Sequence, residues 1–288
     1  MKISEIYFKA NKPVFSFEIF PPKTVEGDAK LINTVSDLKS LSPSFISVTY
    51  GAGGSTKDKT IDLCERIQSQ FQIPTMCHFT CVGASSIEVK ATLEIIQSKK
   101  IENIIALRGD PPKEQGVFVK HPSGFANGKE LIQFIRQEKF PFCIAGGCYP
   151  EKHPDSPTLD ADIQFLKQKV DAGAEFLITQ LFFSNQLFQQ FLEKIKLTGI
   201  SVPVIPGIMP ITSFSQIERF KGMANCEIPQ ELVQELTLLK DHPSDFLRRS
   251  IEFTVSQCKE LLTMGVSGIH FYTLNQSRAT IDIMKSLI

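Results

Sequence analysis

Eight short apolar runs punctuate this chain: 14–20 (VFSFEIF), 45–50 (FISVTY), 74–80 (PTMCHFT), 103–108 (NIIALR), 142–147 (FCIAGG), 176–182 (FLITQLF), 202–208 (VPVIPGI) and 268–273 (GIHFYT). Each is strand-length and apolar on both sides, the pattern of a strand buried on both faces. Helical periodicity lies between them. Val89, Leu93 and Ile96 recur behind a capping-box-like Ser85-x-x-Glu88. Leu159, Ile163, Leu166 and Val170 share a face that ends at Gly173, and Leu187, Phe191 and Ile195 precede Gly199. Leu247, Ile251, Val255, Cys258 and Leu262 form a longer stripe between Ser244 and Gly265. Strand, helix, strand in repetition demands a parallel sheet with helical crossovers. Eight such units close naturally into a (β/α)8 TIM barrel, expected here as a single domain over residues 1–288. An open doubly wound sheet of six or seven strands fits less well, because no dinucleotide fingerprint follows the first run. Between the seventh and eighth runs the pattern predicts three helical pieces, at 214–223, 230–239 and 245–264.

Composition narrows the function classes. With 42% hydrophobic and 22% charged residues the chain supports a packed core, which excludes global disorder. Net charge is zero, so no domain-wide field attracts nucleic acid, and no polybasic run suits a membrane surface. Seven cysteines without a CxxC pair fit free thiols in a reducing compartment. The opening MKISEIYFKANKP scatters charges and lacks the apolar core of a secretory signal. No apolar stretch approaches the roughly 20 residues that span a bilayer. The expectation is a cytoplasmic protein that engages neither nucleic acid nor membrane.

In barrels of this kind chemistry gathers at the C-terminal ends of the strands. Polar residues fall there in nearly every unit: Glu18, Thr49 and Tyr50, His78 and Thr80, Arg108-Gly109-Asp110, Tyr149 and His153, Gln180, and Tyr272 with Asn275. A purely structural barrel has no need of such a rim. Each residue has a plainer reading as well. Glu18 serves equally as a salt-bridged core carboxylate, Asp110 as the ion-pair partner of Arg108, and His153 as an ordinary loop residue. The apolar sequence neighbours of Glu18 predict a raised pKa and a carboxyl that keeps its proton near neutrality. His78 lies beside Cys77 and near Cys81, but adjacent strand residues point to opposite faces, so no metal site is expected. YGAGGST, 50–56, is a glycine-rich entry to a helix whose amides suit a phosphate, without the Lys-Ser/Thr of a Walker loop.

The motifs FSFEIFPPKT, SVTYGAGGS, HFTC, ALRGDPP, YPEKHP, KVDAGAEFLITQLFF, PVIPGIMP and HFYTLN occur in an order that resembles the bacterial-type methylenetetrahydrofolate reductases, from about residue 13 to 288. The resemblance implies a flavoprotein barrel with FAD, reduced by NADH or NADPH, that converts 5,10-methylenetetrahydrofolate to 5-methyltetrahydrofolate for methionine synthesis. It implies Glu18 as general acid and Asp110 as the carboxylate beside pterin and flavin. Gln180, Gln216 and Phe220 match substrate contacts. Thr49, Tyr50, Ala52, His78, Arg108, Gly109, Asp110, Ala126, Tyr149, His153, Asp162 and Lys169 match FAD contacts. It further implies ping-pong kinetics and a homo-oligomer. Gln276 stands where some relatives carry arginine, with Arg278 two residues on, and Phe165 and Gln168 replace polar or basic groups. The last run and helix end the sequence, so no C-terminal regulatory domain is expected. Two other readings remain open. One is a zinc-dependent methyltransferase barrel, suggested by GGC at 146–148, although Tyr149 stands where a second cysteine belongs. The other is a non-catalytic flavin- or folate-binding subunit, against which Glu18, Asp110 and Gln180 argue.

Overall fold

The structure is a computed structural model, and it describes residues 1–51, 56–111, 116, 118–224 and 226–287, with the backbone alone for 221–224. The strands are β1 (Val14–Ile19), β2 (Phe45–Val48), β3 (Thr75–Thr80), β4 (Asn103–Leu107), β5 (Cys143–Cys148), β6 (Phe176–Thr179), β7 (Val204–Ile205), β8 (Gly207–Ile208) and β9 (Gly268–Tyr272). The helices are α1 (Ile3–Lys9), α2 (Val25–Lys39), α3 (Lys57–Phe71), α4 (Ser86–Ser98), α5 (Gly128–Gln137), α6 (Leu159–Asp171), α7 (Asn185–Leu197), α8 (Ser215–Ala224), α9 (Gln230–Leu238), α10 (Pro243–Thr263) and α11 (Arg278–Leu287). The three pieces between the seventh and eighth apolar runs are α8, α9 and α10. The capping box at Ser85 and Glu88 forms as the sequence predicts.

All strand pairs are parallel, in the order β7-β6-β5-β4-β3-β2-β1-β9-β8. Nine strands stand where eight runs were predicted because the seventh run is broken at Pro206, which has no N–H to give to a ladder. Its first half, β7, pairs with β6, and its second half, β8, pairs with β9. The two halves therefore join the ends of the sheet and close a (β/α)8 barrel. The His270 N–H donates to Pro206 O at 2.9 Å, and the Gly207 N–H turns to Thr179 Oγ1 at 2.9 Å. A Cβ on Gly207 would stand 2.5 Å from Thr179 O and 2.5 Å from the Tyr272 ring, so only glycine passes here.

Alternation along each strand sorts the side chains. Phe17, Ile19, Ile46, Val48, Cys77, Phe79, Ile104, Ile144, Leu177, Ile269 and Phe271 face outward and pack under the helices. Val14, Phe45, Met76, Ile105, Cys143, Phe176 and Ile205 fill the N-terminal part of the lumen. Helix α1 closes that mouth. Its Ile3 and Tyr7 are buried in the same cluster, and Tyr7 meets the Phe45 and Phe176 rings at 6.4 and 5.5 Å. The Ile3 N–H donates to Asn103 Oδ1 at 2.8 Å. Seven residues are too few for a helical period to declare itself, and the sequence had not revealed α1. No described helix is long and apolar enough to cross a membrane.

Candidate functional site

The opposite mouth holds a cavity of about 520 Å³. Its lining draws on the ends of β1 to β6 and β9 and on the loops that follow them. Glu18, Thr49, Tyr50, His78, Arg108, Gly109, Asp110, Ala126, Tyr149, His153, Asp162, Lys169 and Gln180 all line it. Ala52 lies outside the described residues, as does most of the glycine-rich YGAGGST turn.

Glu18 is the third lumen-facing residue of β1, after Val14 and Ser16. Its apolar sequence neighbours Phe17 and Ile19 face the helices instead. The expectation of a protonated carboxyl is therefore corrected. Burial does push Glu18 up, but the imidazoles of His78 and His270 outweigh it and hold the carboxyl down at about 2. His78 Nε2 lies 3.1 Å from Glu18 Oε2, off the axis of a ring hydrogen bond, and His270 Nε2 lies 3.5 Å from the same oxygen. The Ser47 hydroxyl donates to Oε2 at 3.2 Å. Oε1 takes no protein partner among the described residues. The strand end is fixed from the turn after β9, where Thr273 Oγ1 donates to Glu18 O at 2.6 Å. Asn275 brackets Phe20 through both its N–H and its carbonyl. Asn275 is thus a backbone clamp beside the cavity.

Gly109 adopts φ +87°, and a Cβ there would stand 2.7 Å from Thr80 Cβ and 2.8 Å from Val82 Cγ1. The bare backbone keeps the turn between Arg108 and Asp110 flat against β3. Arg108 pairs with Asp155 at 2.6 Å and lies over the Phe118 ring at 5.1 Å, so its ion-pair partner is Asp155 rather than Asp110. That guanidinium holds the Asp155 carboxyl below its usual range. Asp110 is exposed at the rim. Asp162 is buried and ties the loop after β5 in place, accepting from the His153 N–H at 2.9 Å and from Ser156 Oγ at 3.0 Å. The His153 ring meets Tyr149 edge-on at 4.6 Å. Burial lowers His153, pushes Tyr149 up to about 12 and lowers Lys169. Lys169 Nζ donates to Gly147 O at 2.5 Å and lies 5.6 Å from the Phe165 ring.

Two expected substrate residues are not brought to the cavity. Gln216 Oε1 accepts from Thr212 N at 2.6 Å and Ser213 N at 3.3 Å, which caps the first turn of α8. Phe220 is buried against Phe183 at 6.1 Å in a separate apolar cluster. The sequence reading missed Asp155, Ser16, Ser47 and His270. For the last three, the signal was the two-residue spacing itself: S-x-E in β1, S-x-T at the end of β2 and H-x-Y in β9 put polar pairs on one face. Among the described residues no cluster of His, Cys, Asp and Glu is arranged to hold a metal, and all seven cysteines are free and buried.

Residues 2–288 match the protein family described as "Methylenetetrahydrofolate reductase". The chain is 38% identical over 302 aligned positions to "Methylenetetrahydrofolate reductase (NADH) 1" of Zea mays, covering 100% of this chain and 51% of that protein. It is 39% identical to the protein of the same description in Arabidopsis thaliana, covering 95% and 48%. It is 35% identical to "5,10-methylenetetrahydrofolate reductase" of Escherichia coli (strain K12), covering 94% and 90%. The chain thus spans about half the length of the plant relatives it matches. Among solved structures, a Clostridium thermocellum protein described as binding two copies of 5-methyl-5,6,7,8-tetrahydrofolic acid aligns with a TM-score of 0.67. The alignment covers 99% of this chain and 98% of that one, and at 14% identity the likeness is one of fold.

Proposed function

Because the chain belongs to the methylenetetrahydrofolate reductase family, we propose that it reduces 5,10-methylenetetrahydrofolate to 5-methyltetrahydrofolate, with FAD bound in the C-terminal cavity and NADH or NADPH as reductant. The observation that carries this reading is Glu18, a lumen-facing carboxyl whose Oε2 is held by Ser47 and two imidazoles while Oε1 is left free.

The cavity's donor set suits a flavin dinucleotide. Thr80 Oγ1 is buried without a protein partner, and it lines the cavity beside the bare backbone of Gly109. Arg108 and Lys169 supply positive charge for a diphosphate. Thr49, Tyr50, Ala126, Tyr149, His153 and Asp162 complete the cradle. When bound, the flavin supplies two-electron hydride exchange between nicotinamide and folate. The two substrates would use the cavity in turn, which gives ping-pong kinetics.

The methylene carbon of the substrate bridges two nitrogens. It accepts hydride only after one C–N bond opens to an iminium cation, and opening requires a proton on the leaving nitrogen. Glu18, ionised at rest, delivers that proton once one has been passed to it, a role worth about 10²–10⁴-fold. Asp110 at the rim offers a carboxylate to steady the cation. Gln180, whose side chain is half-buried in the cavity wall, offers an amide to the pterin. The test is a visible absorption spectrum. The purified protein is expected to be yellow, to bleach on anaerobic addition of NADH or NADPH, and to recover its colour with methylenetetrahydrofolate as methyltetrahydrofolate forms. A colourless preparation that takes up no FAD, or a bleached one that methylenetetrahydrofolate leaves unchanged, contradicts the reading.

A further inference from the structure

Beneath Glu18 lies a second imidazole with no access to solvent. His270 is 0% exposed. Its Nδ1 lies 2.7 Å from Ser16 Oγ, and its Nε2 lies 3.3 Å from Ser47 Oγ and 3.5 Å from Glu18 Oε2. The ring stacks on Phe45 at 5.9 Å and meets Tyr272 edge-on at 5.4 Å. Strand register accounts for the grouping, since Ser16 pairs with His270, Glu18 with Tyr272, and Glu18 with Ser47. Three adjacent strands thus bring lumen residues to one level. A hydroxyl both donates and accepts, so serines at the two ring nitrogens satisfy either tautomer and the imidazolium alike. A ring fixed on its faces by aromatics, and satisfied in every protonation state, is built to hold a proton or to release one to Glu18.

We propose that His270 and Glu18 share one proton, and that this pair, rather than the carboxyl alone, is the acid that opens the folate bridge. The proposal rests on the reductase reading above. The proton leaves His270 Nε2 for Glu18 Oε2, directly or through the Ser47 hydroxyl that touches both. The carboxyl then turns about its Cγ–Cδ bond and gives the proton to the leaving nitrogen. The C–N bond breaks with its electron pair on that nitrogen, and carboxylate and neutral imidazole remain. Water in the cavity restores the proton through His78, whose side chain is 12% exposed and touches the same Oε2. The titratable groups facing the network are Glu18 on β1, His78 on β3, Tyr272 on β9 and, beyond Ser16, Tyr7 on α1. Burial pushes both tyrosines up, so they stay neutral through the working range.

The experiment follows folate reduction by the pre-reduced holoenzyme against pH, in single turnovers, for the native protein, His270→Gln, Ser47→Ala and Glu18→Gln. Glutamine keeps a donor near the Nε2 position but holds no titrating proton. His270→Gln is expected to keep FAD and its reduction by NADH or NADPH while folate reduction falls about 10–100-fold at pH 7. With the imidazole gone the carboxyl has no partner from which to draw the shared proton, so the alkaline limb is expected to move to lower pH. Ser47→Ala moves it the same way by less. A flavin-loaded His270→Gln with an unmoved profile and a rate within about twofold of native overturns the proposal. If His270→Gln does not hold flavin, an unmoved profile for Ser47→Ala overturns it. A native-like His270→Gln beside an inactive Glu18→Gln sinks this proposal alone. A Glu18→Gln protein with native folate turnover sinks the acid assignment and the proposal with it.

Discussion

At the N-terminal mouth of the barrel, Val14, Phe45, Met76 and Phe176 meet Ile3 and Tyr7 of α1 in a sealed apolar plug. Two and four residues further along the same strands the lumen changes character. The lumen face of β1 reads Val14, Ser16, Glu18. That of β2 runs from Phe45 through Ser47 to Thr49, that of β3 from Met76 through His78 to Thr80, and β9 adds His270 and Tyr272. The difference lies in depth along the strand, not in which strand contributes. Apolar burial at one end supplies stability, and that allows the other end to hold a carboxylate between two imidazoles and an open cavity. Stability and chemistry are thus stacked along the barrel axis.

Four measurements would break or sharpen that contrast. The largest effect belongs to the plug. Phe176→Ala leaves a cavity in it and is expected to cost about 3–5 kcal/mol in denaturant unfolding, while the folded fraction still binds flavin. Loss of flavin binding without loss of stability would erase the division between the two ends.

Acid titration of stability comes next. Glu18 is depressed from 4.5 to about 2, so its ionised form contributes in full above pH 4.5, and that contribution is lost as pH falls towards 2. The native protein is expected to lose about 2–3 kcal/mol across that window that Glu18→Gln does not lose. Parallel curves for the two proteins would mean that the imidazoles do not hold the carboxylate.

Gly109→Ala adds a Cβ against Thr80 and Val82 at a positive φ. It is expected to cost about 1–3 kcal/mol and to lower the flavin content of the purified protein. An alanine variant of native stability and colour would remove Gly109 from the cradle. Lys169→Met is the smallest in stability. Its amine is disfavoured by burial, so the change is expected to leave unfolding within about 1 kcal/mol of native. It should weaken FAD about tenfold or more, read by flavin titration of the apoprotein. Unchanged affinity would take Lys169 out of the flavin site.

Much of this was legible because it is written in periodicities. The apolar runs gave the strand positions to within a few residues, and the polar residues at their ends gave the rim. What escaped depends on information that sequence distance hides. The break at Pro206 was visible in VPVIPGI, yet the run reads as one strand because only the neighbours β6 and β9 show that its halves pair separately. The charge state of Glu18 was misread because Phe17 and Ile19, adjacent in sequence, face the other way. Its real neighbours, His78 and His270, lie 60 and 252 residues on. Gln216 and Phe220 were expected at the ligand through resemblance, but here a helix cap and an apolar cluster engage them. The plug helix α1 carried no periodic signal at all.

Single-turnover reaction of the reduced holoenzyme with methylenetetrahydrofolate, native against Glu18→Gln, tests the central claim most directly. The expected result is a variant that binds FAD and is reduced by NADH or NADPH as the native protein is, yet transfers hydride to folate about 10²–10⁴-fold more slowly. Folate reduction at the native rate in that variant would contradict the account.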